Sequence, residues 1–282
     1  MKRERKGIPT RITEKILKLM KTSGTDWQQP WRNKRFITCY GHILRGNNIV
    51  TLAALSKFER TVWATYDQWS DVGCQVQKGA KAVKLTVFKG YEEENGIRRP
   101  KFGRYIAFNI EQCDGDTAKF DSFDKVNHIY NASTIKEIET KLDKLGMKIE
   151  YGGDRACYIP SLDLIQLPKV ESFETTPAYY STRMHESGHC TGHKSRLDRD
   201  LKGKFGDSKY AMEELIAELT ACFMCLELGI DSEPRVDHAK YLNSWIKLLE
   251  DDKRAFNMAV GKAQQATNYM LEQMGLEIRE VA

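Results

Sequence analysis

The segment Arg183-Met184-His185-Glu186-Ser187-Gly188-His189 decides the fold of this chain of 282 residues. On a helix, residues four positions apart lie one turn apart on the same face, so His185 and His189 direct two imidazole nitrogens toward one point. Two such donors can hold a divalent metal ion, and Glu186 can reach a water molecule bound to it. The spacing therefore predicts a metal-binding helix, with Zn2+ as the expected ion and Mn2+ as the alternative.

A third ligand is expected on the following helix, where Glu214 and Glu218 lie four residues apart. One carboxylate can bind the metal while the other orients a ligating imidazole from behind. We predict Glu214 as the ligand and Glu218 as the supporting group, with Glu213 as the alternative ligand. A glutamate supplied by a second helix is the arrangement of the thermolysin-like zincins.

Two other interpretations of the motif concern further ligands. In the metzincin pattern the third ligand is a histidine six residues after the second histidine of the motif. Here that position is Ser195, and His193 is only four residues after His189. A closed structural site would need a fourth protein ligand, which Cys190 or His193 could supply. In an open site, Glu186 is expected to take a proton from the metal-bound water, which predicts a zinc-dependent metallopeptidase.

The residues that would bind a substrate are less clear from the sequence than the metal ligands. The strand predicted at 164–167 offers an edge that can hold an extended peptide. Tyr179, Tyr180 and His193 are the candidates for stabilising an oxyanion, and the sequence does not choose among them.

Hydrophobic periodicity and turn residues place the other elements of the second half. Strands are predicted at 148–151, 156–159 and 164–167, and helices at 134–145, from Thr176 through the motif, at 211–228 and at 236–274, with a break at Gly261. The pair Cys222 and Cys225 lies in an apolar run and is expected in the core.

The first half predicts a small α+β domain. A helix is expected at 10–21, turn residues between 40 and 48 predict hairpins, and strands at 82–88 and 104–110 flank a polar hairpin at 92–99. Residues 1–90 contain 18 Lys and Arg against 6 Asp and Glu, whereas residues 127–282 contain 20 against 25. This asymmetry indicates that the first half contacts a polyanion.

Aromatic and basic residues alternate between Trp27 and Phe36, which suits single-stranded DNA because bases stack on rings while cations contact phosphates. Two tryptophans flanking Pro30 are equally consistent with a buried corner. The candidate nucleic-acid-binding residues are Trp27, Trp31, Arg32, Lys34, Arg35, Tyr40, Arg45, Asn47, Trp63, Tyr66, Lys78 and Lys81.

Composition excludes several classes of protein. No apolar run approaches the roughly 20 residues of a membrane span, and no apolar segment of a signal peptide follows the basic start. The 7 cysteines are odd in number and scattered, so a disulfide framework is not expected. These features predict a cytoplasmic protein.

The chain resembles the ArdC-like antirestriction proteins, which are also similar to the N-terminal part of plasmid TraC primases. In the first half the resemblance rests on Trp27-x-x-Pro30-Trp31, Tyr40-Gly41 with Asn47, Trp63-x-Thr65-Tyr66-x-Gln68 and Gly73-x-x-Val76-x-Lys78-Gly79. In the second half it rests on Ala156-x-Tyr158-x-Pro160-x-x-Asp163, the His185 motif with Thr191-Gly192, Arg196-Leu197-Asp198-Arg199, Glu213-Glu214-Leu215-x-Ala217-Glu218 and Tyr241-x-x-x-Trp245-x-x-x-Leu249.

The resemblance implies an α+β fold with two domains. Residues 1–113 would bind single-stranded DNA, 114–128 would be a linker, and 129–282 would form a zincin-like metallopeptidase domain with His185, His189 and Glu214 as ligands and Glu186 as the catalytic glutamate. Ser187-Gly188 departs from the apolar pair frequent in the motif and indicates a close approach of another backbone.

The function implied is that of a mobile-element protein that protects DNA entering a cell, as in conjugation, from host restriction. A DNA-bound protein or a restriction enzyme would be the substrate. Two alternatives are a DNA-coating protein whose metal is structural and an accessory module for replication or priming.

Overall fold

The structure is a computed structural model that describes residues 8–24, 27–94, 97–124, 132–204, 206–233, 238–276 and 278. The helices are α1 (Ile8–Ser23), α2 (Asn47–Leu55), α3 (Tyr66–Asp71), α4 (Asp121–Asp124), α5 (Ala132–Asp143), α6 (Thr176–Cys190), α7 (Ser208–Leu228), α8 (His238–Asp251) and α9 (Ala255–Gln273). The strands are β1 (Ile37–Thr38), β2 (Val62–Ala64), β3 (Cys74–Val76), β4 (Val83–Glu94), β5 (Ile97–Asn109), β6 (Cys113–Gly115), β7 (Ile149–Tyr151), β8 (Cys157–Ile159) and β9 (Leu164–Leu167).

The chain forms two compact units. Unit 1 combines residues 1–33 with residues 128–278, and unit 2 contains residues 34–127. Mixed helix and sheet in two domains confirms the predicted fold class. The units do not follow the predicted boundary at residue 113, because α1 and the segment after it pack with the second half of the chain.

Unit 2 is built on a sheet of strand order β1-β2-β5-β4 and a second pair, β3-β6. The long antiparallel hairpin of β4 and β5 confirms the predicted strands and the polar hairpin between them, and its register pairs Lys84 with Ile106 and Thr86 with Arg104. Leu85 and Ala107, on the opposite face of the hairpin, are buried. The hairpin thus has one face in the core and one toward solvent.

Three helices of unit 2 were not predicted, the shortest of which is α4 in the predicted linker. Helix α2 contains the run Ile49-Val50-Thr51, and all three residues are β-branched. Because β-branched residues have a low helix propensity, the sequence pattern does not predict a helix here. The short helix α3 is held by a capping box, in which the Thr65 side chain accepts from the Gln68 amide and the Gln68 side chain accepts from the Thr65 amide.

The predicted linker 114–128 is largely part of unit 2. Strand β6 pairs with β3, and the buried ring of Phe120 packs against Trp69 with ring centroids 5.5 Å apart. The chain is therefore folded as far as residue 124, and the rest of the predicted linker lies outside the described residues.

Unit 1 contains the sheet β7-β9-β8, in which β7 is parallel and β8 antiparallel to β9. All three strands agree with the predictions, but β9 is the central strand and not an edge as expected. Helix α6 follows β9 and packs against α7, which also packs against α8 and α9.

The C-terminal helices differ from the predicted helix at 236–274. The break lies at residues 252–254, between α8 and α9, and Gly261 is inside α9. Residues 236 and 237 lie outside the described residues. Gly229 ends α7 in the left-handed conformation with φ 68°, as predicted from its position.

The segment after α1 lies in the core of unit 1. Trp27 and Trp31 are buried, with ring centroids 6.3 Å from Trp245 and 5.4 Å from Phe256 respectively. Trp63 is buried in unit 2 beside Phe58. The apolar surfaces of these three tryptophans are covered by the protein core, which disfavours the predicted stacking of bases on them.

None of the helices that the structure describes is long and apolar enough to cross a membrane.

Candidate metal centre

Helix α6 brings the two histidines into the interior of unit 1. Its first turn contains Pro177, and its N-cap is Thr175, one residue before the predicted start of the helix. The Thr175 hydroxyl accepts a hydrogen bond from the Ala178 amide at 3.1 Å. The helix is almost entirely buried after its second turn. His185 is only 1% exposed.

Gly188 allows α6 and α7 to approach closely. A Cβ atom at this position would lie 3.2 Å from the Ala217 Cα and 3.3 Å from the Thr220 Cβ. This agrees with the close approach expected from Ser187-Gly188. The contact places the imidazoles of α6 beside the carboxylates of α7.

Three side chains converge on one point between these helices. His185 Nε2 lies 3.1 Å from His189 Nε2 and 3.5 Å from Glu214 Oε2, and His189 Nε2 lies 3.4 Å from Glu214 Oε1. A tetrahedral set with metal–ligand bonds of about 2.0–2.1 Å has donors about 3.3 Å apart. The three residues therefore fit a divalent metal ion.

The hydrogen bonding of these atoms supports the same conclusion. Glu214 Oε2 is buried without a hydrogen-bond partner in the described part of the chain, which is costly unless another group neutralises it. Burial by itself raises the pKa of Glu214, but the facing imidazoles of His189 and His185 outweigh it and hold that pKa well below its ordinary range. Glu214 thus offers an ionised carboxylate, the form that a metal ion binds.

A carboxylate lies behind each imidazole. His189 Nδ1 is 3.2 Å from Glu213 Oε1, and His185 Nδ1 is 3.7 Å from Glu218 Oε1. Arg199 donates to both oxygens of Glu213, at 3.0 and 2.7 Å. Glu218 occupies the predicted supporting position, whereas Glu213, predicted as an alternative ligand, supports His189 instead. Such contacts orient a ligating ring.

Glu186 lines an open cleft of about 930 Å³ together with His189 and Glu214. The Glu186 carboxylate accepts a hydrogen bond of 2.8 Å from the Tyr158 amide of β8. Because β8 is an outer strand of the sheet and borders the cleft, it replaces β9 as the edge suited to an extended peptide.

The residues considered as fourth ligands are engaged elsewhere. Cys190 Sγ donates to Asp163 at 3.9 Å, and burial raises the pKa of its thiol to about 12, so it remains protonated. His193 Nδ1 lies 2.8 Å from Ser195 Oγ and 3.7 Å from Asp163 Oδ2. Among the described residues, the potential metal ligands that come together are His185, His189 and Glu214. The arrangement is that of an open site.

The predicted oxyanion candidates do not line the cleft. The Tyr180 hydroxyl donates to Glu139 at 2.8 Å, and the Tyr179 hydroxyl is 3.5 Å from Arg183, both in the buried core. The cleft is instead bordered by Tyr210 and Tyr241, whose hydroxyls are 3.5 Å apart. The sequence offers no local signal for these two, since only the packing of α7 and α8 brings them to the site.

The nucleic-acid candidates are dispersed. Arg32 lies in unit 1, where its guanidinium is 3.8 Å from Glu218, an ion pair that competes with the predicted DNA contact. The remaining candidates lie in unit 2: Lys34, Tyr40, Tyr66, Lys78 and Lys81 are exposed, and Arg35, Arg45 and Asn47 are half-buried.

An exposed face of unit 2 was not predicted. We call it the ribbon face, and it consists of Lys84 on β4 with Phe102, Arg104 and Ile106 on β5. Phe102 is 63% and Ile106 49% exposed. Strand alternation at 104–110 could have indicated it, because residues 102, 104 and 106 point the same way.

Comparison with known proteins matches both parts of the chain. Residues 6–114 match the N-terminal domain of anti-restriction factor ArdC, and residues 136–262 match a zincin-like metallopeptidase. The protein y4eC of Sinorhizobium fredii is 35% identical over 93% of this chain and 91% of its own length. DNA primase TraC of Escherichia coli is 32% identical over 92% of this chain, which spans only 19% of the primase.

Solved structures give the same assignment. The Mn(II)-bound crystal structure of antirestriction protein ArdC from plasmid R388 has a TM-score of 0.74 and 32% identity, over 95% of this chain and 98% of that one. Its metal-free crystal structure has a TM-score of 0.73 and 30% identity, over 96% and 99%. The fold and the site thus define a zincin-like protein with an additional N-terminal domain. The chain belongs to the ArdC-like antirestriction family.

Proposed function

We propose that this protein protects DNA of a mobile element from restriction by binding single-stranded DNA through unit 2 and hydrolysing a DNA-bound protein at the metal centre of unit 1. The observation that carries the hydrolytic part is the convergence of His185, His189 and Glu214 beside Glu186 in an open cleft. The Mn(II) ion of the ArdC crystal structure supports a divalent ion here, with Zn2+ or Mn2+ as the candidates.

A divalent metal ion, when bound, supplies a Lewis acid and lowers the pKa of a coordinated water molecule. Glu186 is suited to receive a proton because its carboxylate lines the cleft and its orientation is set by the Tyr158 amide at 2.8 Å. The same carboxylate can return the proton to the leaving amine. Strand β8 is suited to align an extended peptide along the cleft.

The DNA-binding part rests on exposed aromatic and basic side chains of unit 2. Residues 34–127 contain 15 Lys and Arg against 11 Asp and Glu. On the ribbon face the exposed ring of Phe102 lies two residues from Arg104, and Lys84 lies further along the hairpin, opposite Ile106. An exposed ring near cations is the combination that single-stranded DNA requires. Tyr40, Tyr66, Lys34, Lys78 and Lys81 are further exposed candidates on this unit.

The DNA-binding proposal predicts that Phe102→Ala weakens single-stranded DNA binding by about 1–3 kcal/mol, because a stacking surface is lost. Arg104→Gln is expected to weaken binding and to reduce its salt dependence, because one phosphate contact is removed. Fluorescence anisotropy with a labelled oligonucleotide over a range of salt concentrations measures both effects. Lys57→Gln, an exposed lysine between α2 and β2, is the charge-matched control. Wild-type affinity in both ribbon-face variants would contradict this interface.

A further inference from the structure

Gln29 connects the segment before unit 2 to the metal centre. Its side chain is 3% exposed, and its Nε2 donates to Glu218 Oε2 at 3.2 Å. Its Oε1 accepts from the Cys222 thiol at 3.0 Å. Since the carboxylate of Glu218 accepts and the thiol donates, the two contacts fix the orientation of the amide.

Arg32, on the same segment as Gln29, also contacts Glu218. Its guanidinium lies 3.8 Å from Glu218 Oε2, with side chains only 8% and 4% exposed. Its Nη1 donates to Ser232 Oγ at 3.1 Å. The neighbouring Asn33 donates to the Ser232 carbonyl at 3.2 Å and accepts from the Ser232 amide at 2.7 Å, which anchors the segment to the residues after α7.

The two oxygens of Glu218 thus face different groups. Oε2 faces Gln29 and Arg32, whereas Oε1 faces His185 Nδ1 at 3.7 Å. Holding one oxygen of a carboxylate restricts rotation of the group and thereby the direction of the other. The position of the His185 ring therefore depends on residues that precede unit 2 in the chain.

We propose that Gln29 and Arg32 are positioning residues of the metal centre, which orient Glu218 and through it His185. The inference rests on the metal site of the proposed function and adds that residues 27–33 belong to it. His189 is supported locally, by Glu213 and Arg199, whereas His185 is supported from a distant part of the sequence.

The test measures affinity for Mn2+ and Zn2+ by titration calorimetry on the full chain. Gln29→Met keeps the length of the side chain and removes its hydrogen bonds, so metal affinity is expected to fall about 10-fold or more, as for other residues that orient a metal ligand. Gln28→Met, at an exposed position on the same segment, is the matched control and should bind metal as the wild type does.

A double-mutant cycle separates positioning from general destabilisation. In a Glu218→Gln background, Gln29→Met should cost much less affinity than in the wild type, because the contact it removes is already altered. An equal loss in both backgrounds, or unchanged affinity with a lower melting temperature alone, would contradict the positioning role. Absence of metal binding in the wild type would instead contradict the metal centre itself.

Discussion

At the scale of single residues, the groups around the two histidines differ in origin, because Glu213 and Glu218 come from α7 whereas Gln29, which holds Glu218, comes from the segment after α1. His185 and His189 are one helical turn apart, so a five-residue pattern predicts that they share a face. Glu213 contacts His189 because α7 packs against α6, and Gln29 contacts Glu218 because residues 27–33 lie against α7. Such contacts join residues that are far apart in the sequence, and no local pattern predicts the partner of a glutamine or glutamate.

Trp31 shows the same limit for the nucleic-acid residues. A tryptophan among cations is compatible with base stacking and with burial, and only the structure distinguishes the two. We predict that Trp31→Ala lowers the free energy of unfolding by about 3–5 kcal/mol, because a large core side chain is lost. It should leave single-stranded DNA affinity unchanged, as measured on samples that are still folded.

Phe102→Ala provides the reciprocal comparison. Its ring is 63% exposed, so its removal should reduce DNA affinity with little change in the unfolding transition. Denaturant unfolding followed by tryptophan fluorescence, beside anisotropy with DNA, tests both variants. A stable Trp31→Ala protein with weak DNA binding would show that the tryptophan acts as a DNA contact.

At the scale of elements, helices and strands with clear periodicity were predicted well. Strands β7, β8 and β9 and helices α5, α6 and α7 lie where apolar patterns and turn residues place them. Helix α2 was missed because its β-branched residues resemble a strand, and α3 because it is only 6 residues long. The order of strands in a sheet has no local signal, which is why β9 was taken for an edge.

The close contact of α6 with α7 yields a prediction at this scale. Gly188→Val should destabilise the protein by about 1–3 kcal/mol, because the added atoms overlap Ala217 and Thr220. The variant should also weaken Mn2+ binding, since it separates the histidines of α6 from Glu214. Thermal unfolding with and without metal measures both.

Gly261→Ala is the control for this prediction. Gly261 lies inside α9 and a Cβ atom there would have no neighbour within 4 Å among the described residues. An alanine favours the helix by about 0.5–1 kcal/mol relative to glycine, so this variant should be as stable as the wild type or more so. Wild-type stability of Gly188→Val would show that the helices are not held at contact distance.

At the scale of the whole molecule, the resemblance predicted two domains, but their boundary follows packing. Residues 1–33 supply α1 and two buried tryptophans, Trp27 and Trp31, to unit 1, although the family model for the N-terminal domain spans residues 6–114. Half of the basic excess of residues 1–90 thus belongs to unit 1, with 9 Lys and Arg against 3 Asp and Glu in residues 1–33. The distribution of charge along the chain therefore did not predict the boundary between the two units.

The proposed function combines hydrolysis and DNA binding in one chain. A substitution of Glu186 distinguishes a metallopeptidase from a DNA-coating protein whose metal is structural. Glu186→Gln should keep metal and single-stranded DNA affinity, because Glu186 is neither a ligand nor part of unit 2. His42→Ala, at an exposed position of unit 2, serves as a control for handling and expression.

The most direct measurement is a restriction-protection assay with metal-replete protein, comparing the wild type with Glu186→Gln. We predict that the variant loses protection by at least about 100-fold, the lower end of the contribution of a general base. Full protection by Glu186→Gln, with metal and DNA bound as in the wild type, would contradict it and would show that coating of the DNA is sufficient.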